Sequence, residues 1–144
     1  MGMIYGQELD LEYETKTADK TVLNTIHRHK TGKMISVCGT LGSIDTALTE
    51  KKLKALNLFF ENIGLVFQIV DDILDVVGDE KELGKPIGSD ADSNKSTYVS
   101  ILGIEESKKL ASELTNKAID SLGIFGADAD FLRELANSLI NRKN

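Results

Sequence analysis

Residues 63–77 read IGLVFQIVDDILDVV, and the polar side chains among them are Gln68, Asp71, Asp72 and Asp75. Steps of three, four and seven from Gln68 put all four on one helical face. The same face, followed backwards, reaches Gly64, Glu61 and Asn57. No Lys or Arg falls between Ala55 and Glu80, so the three carboxylates have no local counter-charge. As an i,i+4 pair of like charges, Asp71 and Asp75 cost a helix a few tenths of a kcal/mol. A solvated acidic face is the ordinary explanation for such a stripe. Here apolar residues wrap most of the remaining circumference, which marks a helix that is largely buried. Carboxylates taken out of water cost several kcal/mol each unless cations compensate them. Hard oxygen ligands at D-D-x-x-D spacing suit Mg²⁺, which keeps several waters and bridges carboxylate to phosphate. The stripe therefore predicts a Mg²⁺–diphosphate site.

Basic residues that could complete such a site lie on both sides. The segment after the stripe, GDEKELGKPIGSDADSNK over residues 78–95, supplies Lys85 and Lys95 among glycines and small polar residues, a composition suited to wrapping an anion. Upstream, IHRHKTG carries Lys30 and Thr31, with His27 and Met34 at i−3 and i+4 of Lys30. A lone lysine in a loop or helix is usually just solvated. His27 and His29 are two positions apart, on different helix faces, and do not read as a metal pair. Cys38 reads as a small core residue.

The elements that must position these residues are helical. The sequence has one proline, Pro86, and no alternating run long enough for a strand. Residues 1–18 lack clear periodicity and read as a lead-in or as the tail of an earlier helix. Val22, Leu23, Ile26, Met34, Ile35, Val37 and Cys38 recur at helical spacing over residues 19–41, with Asp19 as N-cap. Thr49 caps a second helix that runs through Val77, about 42 Å at 1.5 Å per residue. Helical pattern resumes in STYVSILG, then over 105–122 and 128–141, with Gly123 and Gly126 between the last two. The fold class is all-α, with the long loop at 78–95 as the functional connection.

Composition agrees without specifying chemistry. The 144 residues carry 17 Lys+Arg and 23 Asp+Glu, a formal charge of −6, which argues against non-specific nucleic-acid binding. No uninterrupted apolar run reaches ~18 residues, so no membrane span is expected. A single cysteine fits a reduced, cytoplasmic setting.

Four segments, in order, resemble the trans-prenyl diphosphate synthase (polyprenyl synthetase) family. GLVFQIVDDILDVVGD resembles that family's second aspartate-rich motif, IHRHKTG its Lys-Thr motif, LGKPIGSDADSNKSTYVSILG the loop and short helix that follow, and GQELDL the segment before the Lys-Thr helix. Within the family the likeness is to bacterial enzymes of the farnesyl diphosphate synthase (geranyltranstransferase) type. The resemblance implies a long-helix bundle of the isoprenoid synthase type around a deep pocket. There an allylic diphosphate (dimethylallyl or geranyl) ionises with Mg²⁺ and condenses with isopentenyl diphosphate to farnesyl diphosphate. It also implies site roles. Asp71, Asp72 and Asp75 hold Mg²⁺, Asp71 most directly, with Asp90 supporting through water. Lys30, Lys85 and Lys95 contact the allylic diphosphate. Thr31, Gln68 and the Lys30 carbonyl face the carbocation. A homodimer is implied as well.

The family's first aspartate-rich motif, its Gly-Lys-x-x-Arg segment and its paired arginines do not occur in these 144 residues. The resemblance is thus to the C-terminal half, read as one domain fragment over 1–144 that is inactive by itself. In that reading, the helices over 19–41, 105–122 and 128–141 cover only part of the apolar wrap of 63–77. The rival readings are a non-catalytic helical fragment or regulatory subunit and, more distantly, a terpene cyclase.

Overall fold

A computed structural model describes residues 1–77 and 95–142. The described residues form helices and no strand. The first, α1 (Met3–Glu12), makes the segment before the Lys30 region helical rather than a plain lead-in, and it ends in a 3₁₀ turn, Tyr13–Thr15. The periodic segment from residue 20 becomes α2 (Lys20–His27), a π-helical turn (Arg28–Gly32) and α3 (Lys33–Gly42). Then come α4 (Glu50–Val77), α5 (Tyr98–Leu102) and α6 (Ile104–Ser121). A 3₁₀ stretch, Leu122–Ala129, leads into α7 (Asp130–Ile140).

The helix starts are set by side chains the sequence makes legible. Asp19 Oδ1 accepts from the Val22 amide at 2.9 Å, and the Lys52 amide donates to Thr49 Oγ1 at 3.4 Å. Thr97 and Ser100 form a reciprocal capping box at α5. Gly103 takes a positive φ of 80°, which turns the chain from α5 into α6.

The central element is α4. Leu23, Val66, Ile69, Val70, Ile73, Tyr98 and Ala111 pack around its C-terminal half. Phe59, Ile63, Ala118, Leu122 and Ala136 form a second cluster around its middle. An 18-residue window of α4 has a mean hydropathy of 1.4, enough by composition to cross a membrane although no uninterrupted run is that long. Its position in the bundle accounts for that hydropathy: 12 of its residues are buried, most of them between Ile63 and Asp75.

Two expectations are corrected. The apolar wrap of residues 63–77 is covered by this chain's own helices, apart from Val76 and Val77 at its end. The uncovered apolar face lies instead on α3, where Met34, Val37, Leu41 and the following Ile44 are exposed. Cys38 is also exposed, not core. The face that this helix turns to α4 is made of small residues instead, Gly32 closing on Gly64 and Gly39 on the Phe60 ring, so its apolar side chains point away from α4. Gly32, the last residue of the π-turn, and Ser36 of α3 are the buried ones.

That turn is held by backbone contact on two sides. A Cβ at Gly6 would sit 2.2 Å from the Lys30 amide nitrogen, and one at Gly64 would sit 2.6 Å from Gly32 Cα. Only residues without a Cβ let α1 and α4 approach so closely. Single-turn π segments are frequent at functional sites, and this one carries Lys30 and Thr31.

Candidate functional site

The polar stripe of α4 is largely a seam with the helix that carries Lys30. Thr40 Oγ1 lies 3.5 Å from Asn57 Oδ1, Lys33 Nζ lies 3.0 Å from Glu61 Oε1, and Thr31 Oγ1 donates to Gln68 Oε1 at 3.0 Å. At the end of this seam the helices part around a cavity of about 150 Å³. Lys30, Gln68, Asp71, Asp72 and Lys95 all line it. Thr31 stands beside it through its bond to Gln68. Asp75 is 1% exposed and is not part of the lining. Lys85 and Asp90 lie outside the described residues.

Each lining group is held in place. Lys30 Nζ pairs with Asp10 Oδ2 of α1 at 2.5 Å, in a half-buried setting. Asp72 is 7% exposed, and its Oδ2 accepts from the Tyr98 amide at the start of α5 at 2.7 Å. Tyr98 is fully buried, and its phenol donates to Asn24 Oδ1. Burial, with the Asp72 charge second, pushes that phenol's pKa up. The Ala18 amide donates to Ser96 Oγ at 3.0 Å and so fixes the backbone next to Lys95.

The histidines separate as their spacing predicts. His27 lines the cavity and stacks on the Tyr98 ring with centroids 5.5 Å apart. His29 instead meets Tyr5 edge-on at 5.1 Å. Burial lowers the His27 pKa to about 4, only partly opposed by Asp10, so the ring is neutral near pH 7.

Asp71 opens on the cavity, with its side chain 41% exposed. Among the described residues a counter-charge reaches it from the far end of the chain: Arg142 Nη2 lies 3.3 Å from Asp71 Oδ1. Sequence reasoning passed over Asp10 and Arg142. GQELDL places Asp10 one turn beyond Gly6, a signal for the first. Nothing local marks the second.

The donor set fits a hard cation. Asp71 opens on the cavity and Asp72 lines it at the adjacent position, and one or two carboxylates completed by water and phosphate oxygens are how Mg²⁺ is ordinarily held. Among the described residues no group of three or more His, Cys, Asp or Glu forms a closed cage. Lys30 and Lys95 in the same lining suit an anion that would share the metal.

The chain is 40% identical over 141 residues to a farnesyl diphosphate synthase of Micrococcus luteus, covering 98% of this chain and 48% of that one. It is 42% identical over 145 residues to a farnesyl diphosphate synthase of Escherichia coli, with coverages of 98% and 48%. It therefore spans about half the length of these relatives. A geranyltransferase of Helicobacter pylori, solved with magnesium and isoprenyl diphosphate, superimposes with a TM-score of 0.78 at 35% identity, over 97% of this chain and 46% of that one. The architecture is accordingly the all-α bundle of isoprenoid synthases. The polyprenyl synthetase family pattern matches residues 1–122, and the chain belongs to that family.

Proposed function

We propose that this chain forms the C-terminal half of a Mg²⁺-dependent prenyltransferase that condenses isopentenyl diphosphate with dimethylallyl or geranyl diphosphate to give farnesyl diphosphate. The observation that carries the proposal is the convergence of Lys30, Gln68, Asp71, Asp72 and Lys95 on one cavity, from three separate stretches of sequence. The relatives' names support the farnesyl product.

In this reading Asp71 and Asp72 hold the metal, and Asp75 steadies the helix from inside. Magnesium, when bound, would neutralise the diphosphate so that it can leave. Lys30 and Lys95 add fixed positive charge where the leaving group's charge grows. Asp10 holds the Lys30 ammonium at the cavity wall before substrate arrives. The Thr31–Gln68 pair presents neutral oxygen dipoles beside it, able to stabilise a carbocation without trapping it. The neutral His27 adds no positive charge against that cation. A π-turn loosens the regular i→i−4 bonding at Lys30, which suits the proposed role of its carbonyl. Lys85 and Asp90 keep the roles the family implies, as does the homodimer.

The apolar face exposed on α3 favours a chain that performs no condensation alone. Calorimetry of the 144-residue chain with inorganic pyrophosphate, with and without Mg²⁺, tests the site. Chromatography of products from labelled isopentenyl and geranyl diphosphates, using any in-frame upstream extension of the chain, tests the reaction. Expected results are Mg²⁺-dependent pyrophosphate binding and a C15 product. Mainly C20 or longer products would refute the farnesyl assignment. Turnover of ~1 s⁻¹ by residues 1–144, an ordinary enzyme rate, would refute the half-site reading.

A further inference from the structure

We propose that Arg142 is a tethered counter-cation that sets how tightly Asp71 takes a divalent metal, the C-terminal end of the chain and the ion competing for one carboxylate. The inference rests on the metal reading above.

Arg142 lies just past the end of α7 at Ile140 and reaches back to one turn of α4. Its Nη2 is 3.3 Å from Asp71 Oδ1 and also donates to the Phe67 carbonyl at 3.4 Å. The guanidinium lies over the Phe67 ring, 4.4 Å from its centroid. Phe67 and Asp71 are i,i+4 neighbours, so all three contacts fall on one patch. With its side chain only 19% exposed, the arginine is seated on that patch rather than solvated.

The seat is incomplete. Arg142 Nε is buried with no hydrogen-bond partner among the described residues. A guanidinium normally satisfies its donors in a fixed fork. Leaving one unmet marks a position held by the Asp71 charge and the Phe67 face more than by a complementary pocket. The backbone there is also expendable: the Arg142 amide makes one long turn bond, 3.4 Å to the Leu139 carbonyl. Arg142 can therefore leave without unwinding a helix.

A cation at Asp71 meets this arrangement directly. The guanidinium engages a lone pair of Asp71 Oδ1, and its charge repels a dication held by the same carboxylate. Such competition is reciprocal: a metal at Asp71 loosens Arg142 by the same factor by which Arg142 weakens the metal.

The probe is Mn²⁺ alone, with the free ion counted by electron paramagnetic resonance, on wild type, Arg142→Gln, Arg142→Lys and the Asp71→Asn/Arg142→Gln double variant. Arg142→Gln is expected to bind about fivefold more tightly, the equivalent of ~1 kcal/mol for a half-exposed ion pair. Arg142→Lys, which keeps the charge, should stay within about twofold of wild type by the same reasoning. The double variant should lose the gain. A second readout needs no variant. The chain has three arginines, Arg28, Arg133 and Arg142, and in ¹⁵N-arginine-labelled protein Mg²⁺ should shift the Nε–H signal of Arg142 alone. Measurable wild-type binding that Arg142→Gln leaves equal or makes weaker overturns the competition while the metal site stands. Absence of binding in every variant at millimolar ion overturns both readings.

Discussion

Gly6→Ala puts a methyl group where the backbone of the π-turn already runs. Its Cβ would lie 2.2 Å from the Lys30 nitrogen and 2.7 Å from Lys30 Cα, far inside the 3.5–4.0 Å optimum for nonbonded carbon. The obstacles are backbone atoms, so no rotamer change relieves the clash, and α1 must move away from the turn. Overpacking of this kind costs about 1–3 kcal/mol, and more where the backbone resists. Alanine's better helix propensity within α1 returns about 1 kcal/mol. A net loss of about 2 kcal/mol lowers Tm by about 6 °C for a chain of this size. Displacing α1 also pulls Asp10 from Lys30, so affinity for Mg²⁺–pyrophosphate should fall by about tenfold, on the scale of one charge-assisted contact. Thermal melts, amide exchange at residues 28–32 and pyrophosphate calorimetry measure the three effects. Gly123→Ala is the control, because no atom lies within 4 Å of its added Cβ. A Gly6→Ala protein melting within 1 °C of wild type, with unchanged exchange at the turn, would refute the clamp. That threshold is well under the ~6 °C expected.

Asp71→Ala should abolish Mg²⁺-dependent pyrophosphate binding and leave stability within about 0.5 kcal/mol, whereas Asp75→Ala, emptying a 1%-exposed position, should lose about 1–3 kcal/mol in urea melts; the reverse pattern would exchange their roles. Lys30→Ala should weaken pyrophosphate binding about tenfold, on the scale of one charge-assisted bond, and titration calorimetry would read it. His27 has a folded pKa of about 4 against 6.5 unfolded, so the unfolded chain binds more protons between those values. Stability from this group is then full above pH 6.5 and lost as pH falls toward 4. Unfolding free energies from urea melts at pH 7.5 and pH 5 should therefore differ by about 2 kcal/mol more in wild type than in His27→Gln, and equal differences would show that His27 is not buried neutral.

Much of the fold was legible because the signals are local. Asp19 and Thr49 announce helix starts through their own side-chain oxygens, and the period of residues 50–77 specifies one long helix without reference to anything it touches. The stripe was legible for the same reason, since i, i+3, i+4 and i+7 share a face whatever surrounds them. Residues 1–18 gave no clear signal because α1 is short and its Met3, Ile4 and Leu11 stay exposed, so no buried apolar stripe marks it. The burial of Val37 and Cys38 was misjudged for a related reason. The face of α3 that meets α4 carries Ser36 and Gly39 rather than its apolar residues, and hydrophobic spacing cannot signal a contact made by small residues.

The sequence by itself determined the helical class, the acidic stripe and, through four ordered motifs, the family. Each depends on residue types at short separations, where backbone geometry alone fixes who is neighbour to whom. Only the tertiary structure decided which stripe residues work together. It turned Asp75 inward and left Asp71 open. It bonded Gln68 to Thr31, and it brought Asp10 to Lys30 and Arg142 to Asp71. Those pairings span 20 to 71 residues, and charge or polarity at such distances has no partner until packing of apolar faces sets the helices against one another.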